Sequence, residues 1–274
     1  MKTLLLSGWT QPTDALAHLV DDAVVFDYSD YPNPDAAIEA LKKIKPRHVV
    51  AWSMGGQLAL RAIAAGAITP THLTLIAAPM KFVSCLNSPL EGESNRSFND
   101  SVGGAAHPQP PQRVDGLPPT GLQGQAPLPL KGGAIKGMDP LTFRLFRESY
   151  ASDPARAKTR FHGLIAKGDA RMRAVMEMLG HHPDVENISR WLPWLDDLGD
   201  YEFIPETLAS APPTLIIHGM NDHIVPHAQG VALARSLPNA QLNGWAQVGH
   251  APHVHDGARA RAEILAHRLK HGVE

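Results

Sequence analysis

Three short stretches of the chain carry residue types that together can pass a proton and open an ester. Trp52-Ser53-Met54-Gly55-Gly56 follows an apolar run ending at Ala51 and precedes a helical pattern that begins near Gln57. A serine on such a tight strand-to-helix turn has its hydroxyl raised above the sheet, where it can attack a carbonyl. The pattern G-x-S-x-G is met in part, because Ala51 stands at the first glycine position. Alanine is the smallest substitute with a side chain, so strand and helix can still approach closely. The second stretch, Ile216-Ile217-His218-Gly219-Met220-Asn221-Asp222, runs an apolar strand into a loop that carries an acid. The third, Val248-Gly249-His250-Ala251-Pro252-His253, puts a histidine in a loop after the last expected strand.

Each stretch alone has a plainer reading: Ser53 as a helix cap, Asp222 as a turn residue, His250 as a solvated loop side chain. Their order in the chain changes this. Serine, then acid, then histidine, each just past a strand, is one of the orders in which a nucleophile, its base and the base's orienting carboxylate occur. In that arrangement Ser53 is the nucleophile, His250 takes its proton, and Asp222 fixes the imidazole tautomer and stabilises the imidazolium. The oxyanion then needs two preorganised donors. The backbone N–H of Met54, next to the nucleophile, supplies one. The loop Ser7-Gly8-Trp9-Thr10 after the first strand supplies the other, assigned to Trp9. Trp9 and Trp52, with Phe146 and Phe161 from further along the chain, are expected to line the substrate site; core packing is the plainer role for the two tryptophans.

The elements that must position these residues alternate. Apolar runs at Thr3 to Leu6, Ala23 to Tyr28, His48 to Trp52, Leu73 to Ala77, Thr214 to His218 and Gln241 to Val248 read as strands. Pro34 to Ile44, Gly55 to Ala65, His227 to Leu237 and Gly257 to Leu269 read as helices. Such alternation predicts a mostly parallel sheet flanked by crossover helices. Residues 1–86 and 195–274 form this core. Between them, 139–194 has Phe143, Phe146, Tyr150, Phe161, Ile165, Met172, Val175, Met176 and Leu179 at three- and four-residue spacings, the pattern of a helical cap. Caps close over sites, so substrate choice is expected there. Residues 87–138 are rich in Pro, Gly, Gln and Ser and poor in large apolar side chains, which predicts a loosely held insertion. Its ends, Ser88-Pro89-Leu90-Glu91-Gly92-Glu93 and Leu128-Pro129-Leu130-Lys131-Gly132-Gly133, resemble translations of the arms of an inverted DNA repeat; an active-site lid is the functional alternative.

Composition sets the outer limits. The 274 residues allow one sizeable core, with 43% hydrophobic and 19% charged content. A net charge of -2 gives no whole-molecule attraction to nucleic acid or membranes, so neither is an expected partner. The single cysteine, Cys85, cannot form an internal disulfide, which suits a reducing compartment. The apolar run after Met1 is too short for a signal peptide and no segment approaches a membrane span, so a cytoplasmic protein is expected, and a monomer.

At Gly8-Trp9, Trp52-Ser53-Met54-Gly55-Gly56, Gly219 with Asp222, and Gly249-His250-Ala251-Pro252, the chain resembles the α/β-hydrolase superfamily. Within it, these residues are similar to those of carboxylesterases that act on pimeloyl-[acyl-carrier protein] methyl ester in biotin synthesis. Ser7-Gly8 departs from the histidine-glycine pair common in that loop. The resemblance implies an α/β-hydrolase fold with an inserted cap and no cofactor. It also implies that Arg156 and Arg160, four apart on one helix face, with Arg171 and Arg173 after them, meet an acidic carrier protein; a solvated basic face is the plainer reading. His223, His227, His250, His253 and His255 with Asp256 have the number for a metal site, but their spacing gives no tetrahedral set, and His250 is already needed as base, so no metal is expected. Two other functions fit the residues: a general esterase or lactonase for small free esters, and a non-catalytic binding protein on the same scaffold.

Overall fold

The computed structural model describes residues 2–84, 135–180, 188–209 and 211–272. Six strands form one parallel sheet: β1 (Thr3–Leu6), β2 (Ala23–Val25), β3 (His48–Trp52), β4 (His72–Ile76), β5 (Thr214–Gly219) and β6 (Ala240–Trp245). Their spatial order is β2-β1-β3-β4-β5-β6. Every residue of β1, β3, β4 and β5 is buried, as expected of a sheet covered on both faces, whereas the edge strands β2 and β6 are largely open. The chain steps outward from β1 to β2 and then back across β1 to β3. The crevice at such a reversal, beyond the carboxyl ends of the strands, is where open α/β sheets hold ligands. The register Leu6↔Ala51 sets the loops after β1 and β3 side by side at that crevice.

The helices α1 (Pro34–Leu41), α2 (Met54–Ala64), α7 (His227–Ser236), α8 (Pro252–His255) and α9 (Gly257–Lys270) belong to the core. Between β4 and β5 the chain forms α3 (Pro140–Ser152), α4 (Pro154–Ala166), α5 (Met172–Gly180) and α6 (Ile188–Asp200). The first two start alike: Asp139 and Asp153 each accept the backbone N–H three residues on, at 2.9 and 3.1 Å, and a proline follows each at the first helical position. Helix α6 carries the cap beyond the expected boundary at Trp194, continuing through Pro193 and burying Trp191, Trp194, Leu195 and Leu198.

Two strands end earlier than their apolar runs suggest. β2 stops at Val25, before a single 3-10 turn at Tyr28–Asp30 that Asp27 caps, and β6 stops at Trp245, just before Gln247 turns left-handed at φ 58°. Most of the expected insertion, residues 87–134, lies outside the described residues. Its flanks are held by Gln229 of α7: the amide oxygen accepts N–H groups of Met80 and Lys81 at 2.8 and 3.1 Å, and the amide nitrogen donates to the carbonyls of Lys81 and Lys136 at 2.8 and 2.9 Å. Among the described residues no helix is long and apolar enough to cross a membrane.

Candidate active site

Ser53 occupies the turn from β3 into α2 with φ 54° and ψ −119°, a conformation that L residues rarely adopt. The following helix can sit this close only because residue 55 is glycine: a Cβ there would lie 2.1 Å from the carbonyl oxygen of Leu6. Ala51 at the other motif position is fully buried without displacing the strand pairing of β3 with β1 and β4. As the first residue of α2, Met54 has an N–H with no partner inside the helix. It sits beside the serine.

His250 comes from the loop between β6 and α8. Its Nε2 lies 2.9 Å from Ser53 Oγ and its Nδ1 lies 2.7 Å from Asp222 Oδ2. All three side chains are buried, with Ser53 5% and His250 1% exposed. The other carboxylate oxygen of Asp222 accepts the N–H groups of Ile224 and Val225 at 2.8 and 2.9 Å, so the loop after β5 wraps its own acid. Burial pushes the Asp222 carboxyl up, but the charge of His250, hydrogen bonds from His218 and His250, and the charge of His218 outweigh it and hold the group well below the usual carboxylate range. Asp222 is therefore an anion against which an imidazolium can form. His218 Nε2 also lies 3.4 Å from Asp222 Oδ2, the oxygen that meets His250, and 2.8 Å from the carbonyl of Val225.

The backbone of His250 is fixed as firmly as its ring. The indole N–H of Trp52 donates to the His250 carbonyl at 2.9 Å, and the His250 N–H donates to Ile165 at 3.0 Å. Trp52 is 1% exposed and its ring lies 4.4 Å from that of His253, so it supports the histidine loop from below. Trp9 follows Gly8 in the loop after β1. Its ring is buried edge-on among Phe146 at 5.5 Å, Tyr150 at 4.7 Å and Phe161 at 5.2 Å, and its indole N–H donates to Trp191 at 3.1 Å. Three cap helices, α3, α4 and α6, thus rest on the residue expected to supply the second oxyanion donor.

The four arginines are exposed, Arg156 and Arg160 on α4 and Arg171 and Arg173 at the start of α5. Arg171 is turned towards the histidine loop, its guanidinium donating to the carbonyl of His255. Among the described residues no three His, Cys, Asp or Glu side chains gather as a metal site. The sequence reading left two groups unnoticed. His218 lies inside an apolar strand, and Asp169 of the cap reaches the histidine loop; nothing local in the sequence distinguishes the latter.

A hydrogen-bonded serine, histidine and aspartate at the carboxyl edge of a parallel sheet, with helices α3 to α6 inserted between β4 and β5, is the arrangement of an α/β-hydrolase fold. The family model for the alpha/beta hydrolase family matches residues 4–263, and the chain belongs to that family. It is 33% identical over 121 residues to the pimeloyl-[acyl-carrier protein] methyl ester esterase of Aromatoleum aromaticum, a match covering 42% of this chain and 48% of that one. It is 29% identical over 120 residues to the biotin biosynthesis bifunctional protein BioHC of Teredinibacter turnerae, covering 43% of this chain and 21% of that one. The matched stretch thus spans about half of the first relative and less of the second. Among solved structures, a bromoperoxidase from Bacillus anthracis superimposes with a TM-score of 0.64 at 15% identity, covering 98% of this chain and 91% of that one. An esterase from Exiguobacterium antarcticum does so with a TM-score of 0.63 at 12% identity, covering 97% and 91%.

Proposed function

We propose that the protein is a serine carboxylesterase working through an acyl-enzyme. The observation that carries this reading is the continuous hydrogen-bonded line from Ser53 Oγ through the His250 imidazole to the Asp222 carboxylate, at 2.9 and 2.7 Å. Ser53 Oγ attacks the ester carbonyl while its proton passes to His250 Nε2, and the charge left on Nδ1 is met by Asp222. The N–H groups of Trp9 and Met54 hold the oxyanion; losing one such donor costs on the order of 10²–10³ in kcat. Collapse expels the alcohol, which takes the proton from His250. Water, deprotonated in turn by His250, then frees the acid and Ser53. Trp9, Phe146 and Phe161 give the acyl group an apolar wall.

The experiment is labelling with a fluorophosphonate probe beside hydrolysis of p-nitrophenyl and methyl esters of increasing chain length. Labelling and turnover that both disappear in Ser53→Ala support the reading. A wild-type protein that neither labels nor turns over would leave a binding protein on the same scaffold.

For the substrate, the reading is pimeloyl-[acyl-carrier protein] methyl ester, supported by the two biotin-synthesis relatives and by Arg156 and Arg160 standing exposed on one face of α4. Glutamates at 156 and 160 are expected to cripple turnover of the carrier-linked ester and to leave a free ester untouched. Failure to rescue growth of a biotin-requiring esterase mutant would turn the assignment towards small free esters.

A further inference from the structure

The cap residue Asp169 grips the histidine loop as Trp52 does, but at Gly249 N–H rather than at the His250 carbonyl. Its carboxylate is buried, with 1% of the side chain exposed. Oδ2 accepts the N–H of Gly249, the residue before His250, at 3.1 Å. Oδ1 accepts the N–H of Arg171 at 2.7 Å and lies 2.7 Å from His255 Nδ1, beyond the histidine loop. The neighbouring cap backbone repeats the grip: Ile165 accepts the N–H of His250, and the N–H of Ala170 donates to Gln247 at 2.8 Å. The approach is so close that a Cβ on residue 249 would lie 2.8 Å from the carbonyl oxygen of Ile165 and 3.0 Å from that of Lys167.

We infer, resting on the esterase reading above, that Asp169 is a positioning residue for His250. The carboxylate never meets the substrate; it fixes the backbone on which the imidazole is carried, so that Nε2 faces Ser53 while Nδ1 faces Asp222. A carboxylate is the group this place requires. It must accept from two backbone N–H groups pointing at it from different sides and from a histidine ring, and only an acceptor-only side chain with two oxygens meets all three. An asparagine of the same shape must turn its NH₂ towards either Gly249 N–H or Arg171 N–H, placing donor against donor in a buried site. Displacements of about 1 Å at a catalytic group cost on the order of 10²-fold.

The test compares wild type, Asp169→Asn and Asp256→Asn; Asp256 caps α9 nearby and does not touch the histidine loop. Fluorophosphonate titration counts working sites, p-nitrophenyl acetate gives kcat and KM, and proton NMR follows the far-downfield signal of the proton between His250 and Asp222. For Asp169→Asn, kcat per titrated site is expected to fall between about tenfold and 10²-fold with KM changed by less than about threefold, and the downfield signal to broaden or shift. Asp256→Asn should match wild type in all three. Should Asp169→Asn prove insoluble, Asp169→Ser, which keeps an acceptor for Arg171 and cannot reach Gly249, is held to the same criteria. An unchanged kcat per site with an unchanged downfield signal, whatever the melting temperature does, overturns the inference while the esterase reading stands. Absence of labelling in wild type removes both.

Discussion

Both ends of the sheet carry buried histidines, and the two groups have opposite surroundings. At the carboxyl ends of the strands, His250 has an ionised carboxylate 2.7 Å behind it and a hydroxyl 2.9 Å in front. At the amino ends, His48 opens β3, His72 opens β4 and His267 packs on them from α9; all three are buried and, among the described residues, none has a hydrogen-bonded carboxylate. His72 Nε2 lies 2.6 Å from His267 Nδ1, and His48 Nε2 lies 3.1 Å from Thr74 Oγ1. Burial, then the neighbouring histidines and Arg268, push His72 down to about 3, and burial with His271 and Lys270 pushes His267 down to about 4. His48 is held well below its ordinary value for the same leading reason. Burial alone favours the neutral ring at His48, His72 and His267, whereas His250 has a carboxylate folded in behind it.

The most damaging way to break the contrast is to make the carboxyl edge resemble the amino edge. Asp222→Asn leaves the shape and removes the charge, and kcat is expected to fall on the order of 10⁴-fold while the protein stays folded; steady-state kinetics with a melting curve checks it. The converse experiment removes the neutral rings. An unfolded chain protonates a histidine near 6.5 and folded His72 does so near 3, so between those values the unfolded state holds more protons and stability falls as pH falls. Each such histidine contributes up to about 1.4 kcal/mol per pH unit in that window and nothing above it. The pair His72→Leu with His267→Leu should therefore flatten the loss of stability between pH 6.5 and 5, read by urea denaturation, and leave esterase activity at pH 8 unchanged. Helix α9 provides the smallest effect as a control. Arg259 at its other end lies 4.0 Å over the Trp245 ring, and Arg259→Ala should cost about 0.5–1 kcal/mol equally at pH 5 and pH 8.

The sequence made the carboxyl edge legible and said nothing about the amino edge. Ser53, Asp222 and His250 could be read because each stands in a recognisable local setting, an apolar run followed by a turn, and because their order restricts the topology. That 139–194 is helical was equally readable from the spacing of Phe143, Phe146, Tyr150 and Phe161, but the break between α3 and α4 at Asp153 was not. What stayed hidden depends on pairs distant in the chain. His72 meets His267 across 195 positions, and Asp169 meets Gly249 across 80. The expected boundary at 194 falls inside α6, because the helix passes through Pro193 on the strength of four large buried side chains. The ends of β2 and β6 were overrun for a simpler reason: apolarity continued past the last strand pairing.

The place of Trp9 has a consequence for remodelling the pocket. Its ring is the common footing of three cap helices, and its own backbone is the proposed second donor to the oxyanion. Shrinking Phe146, Tyr150 or Phe161 to admit a bulkier acyl chain is therefore expected to loosen the loop that carries this proposed donor. On that reading, a variant that widens the range of substrates is expected to surrender part of the speed of turnover.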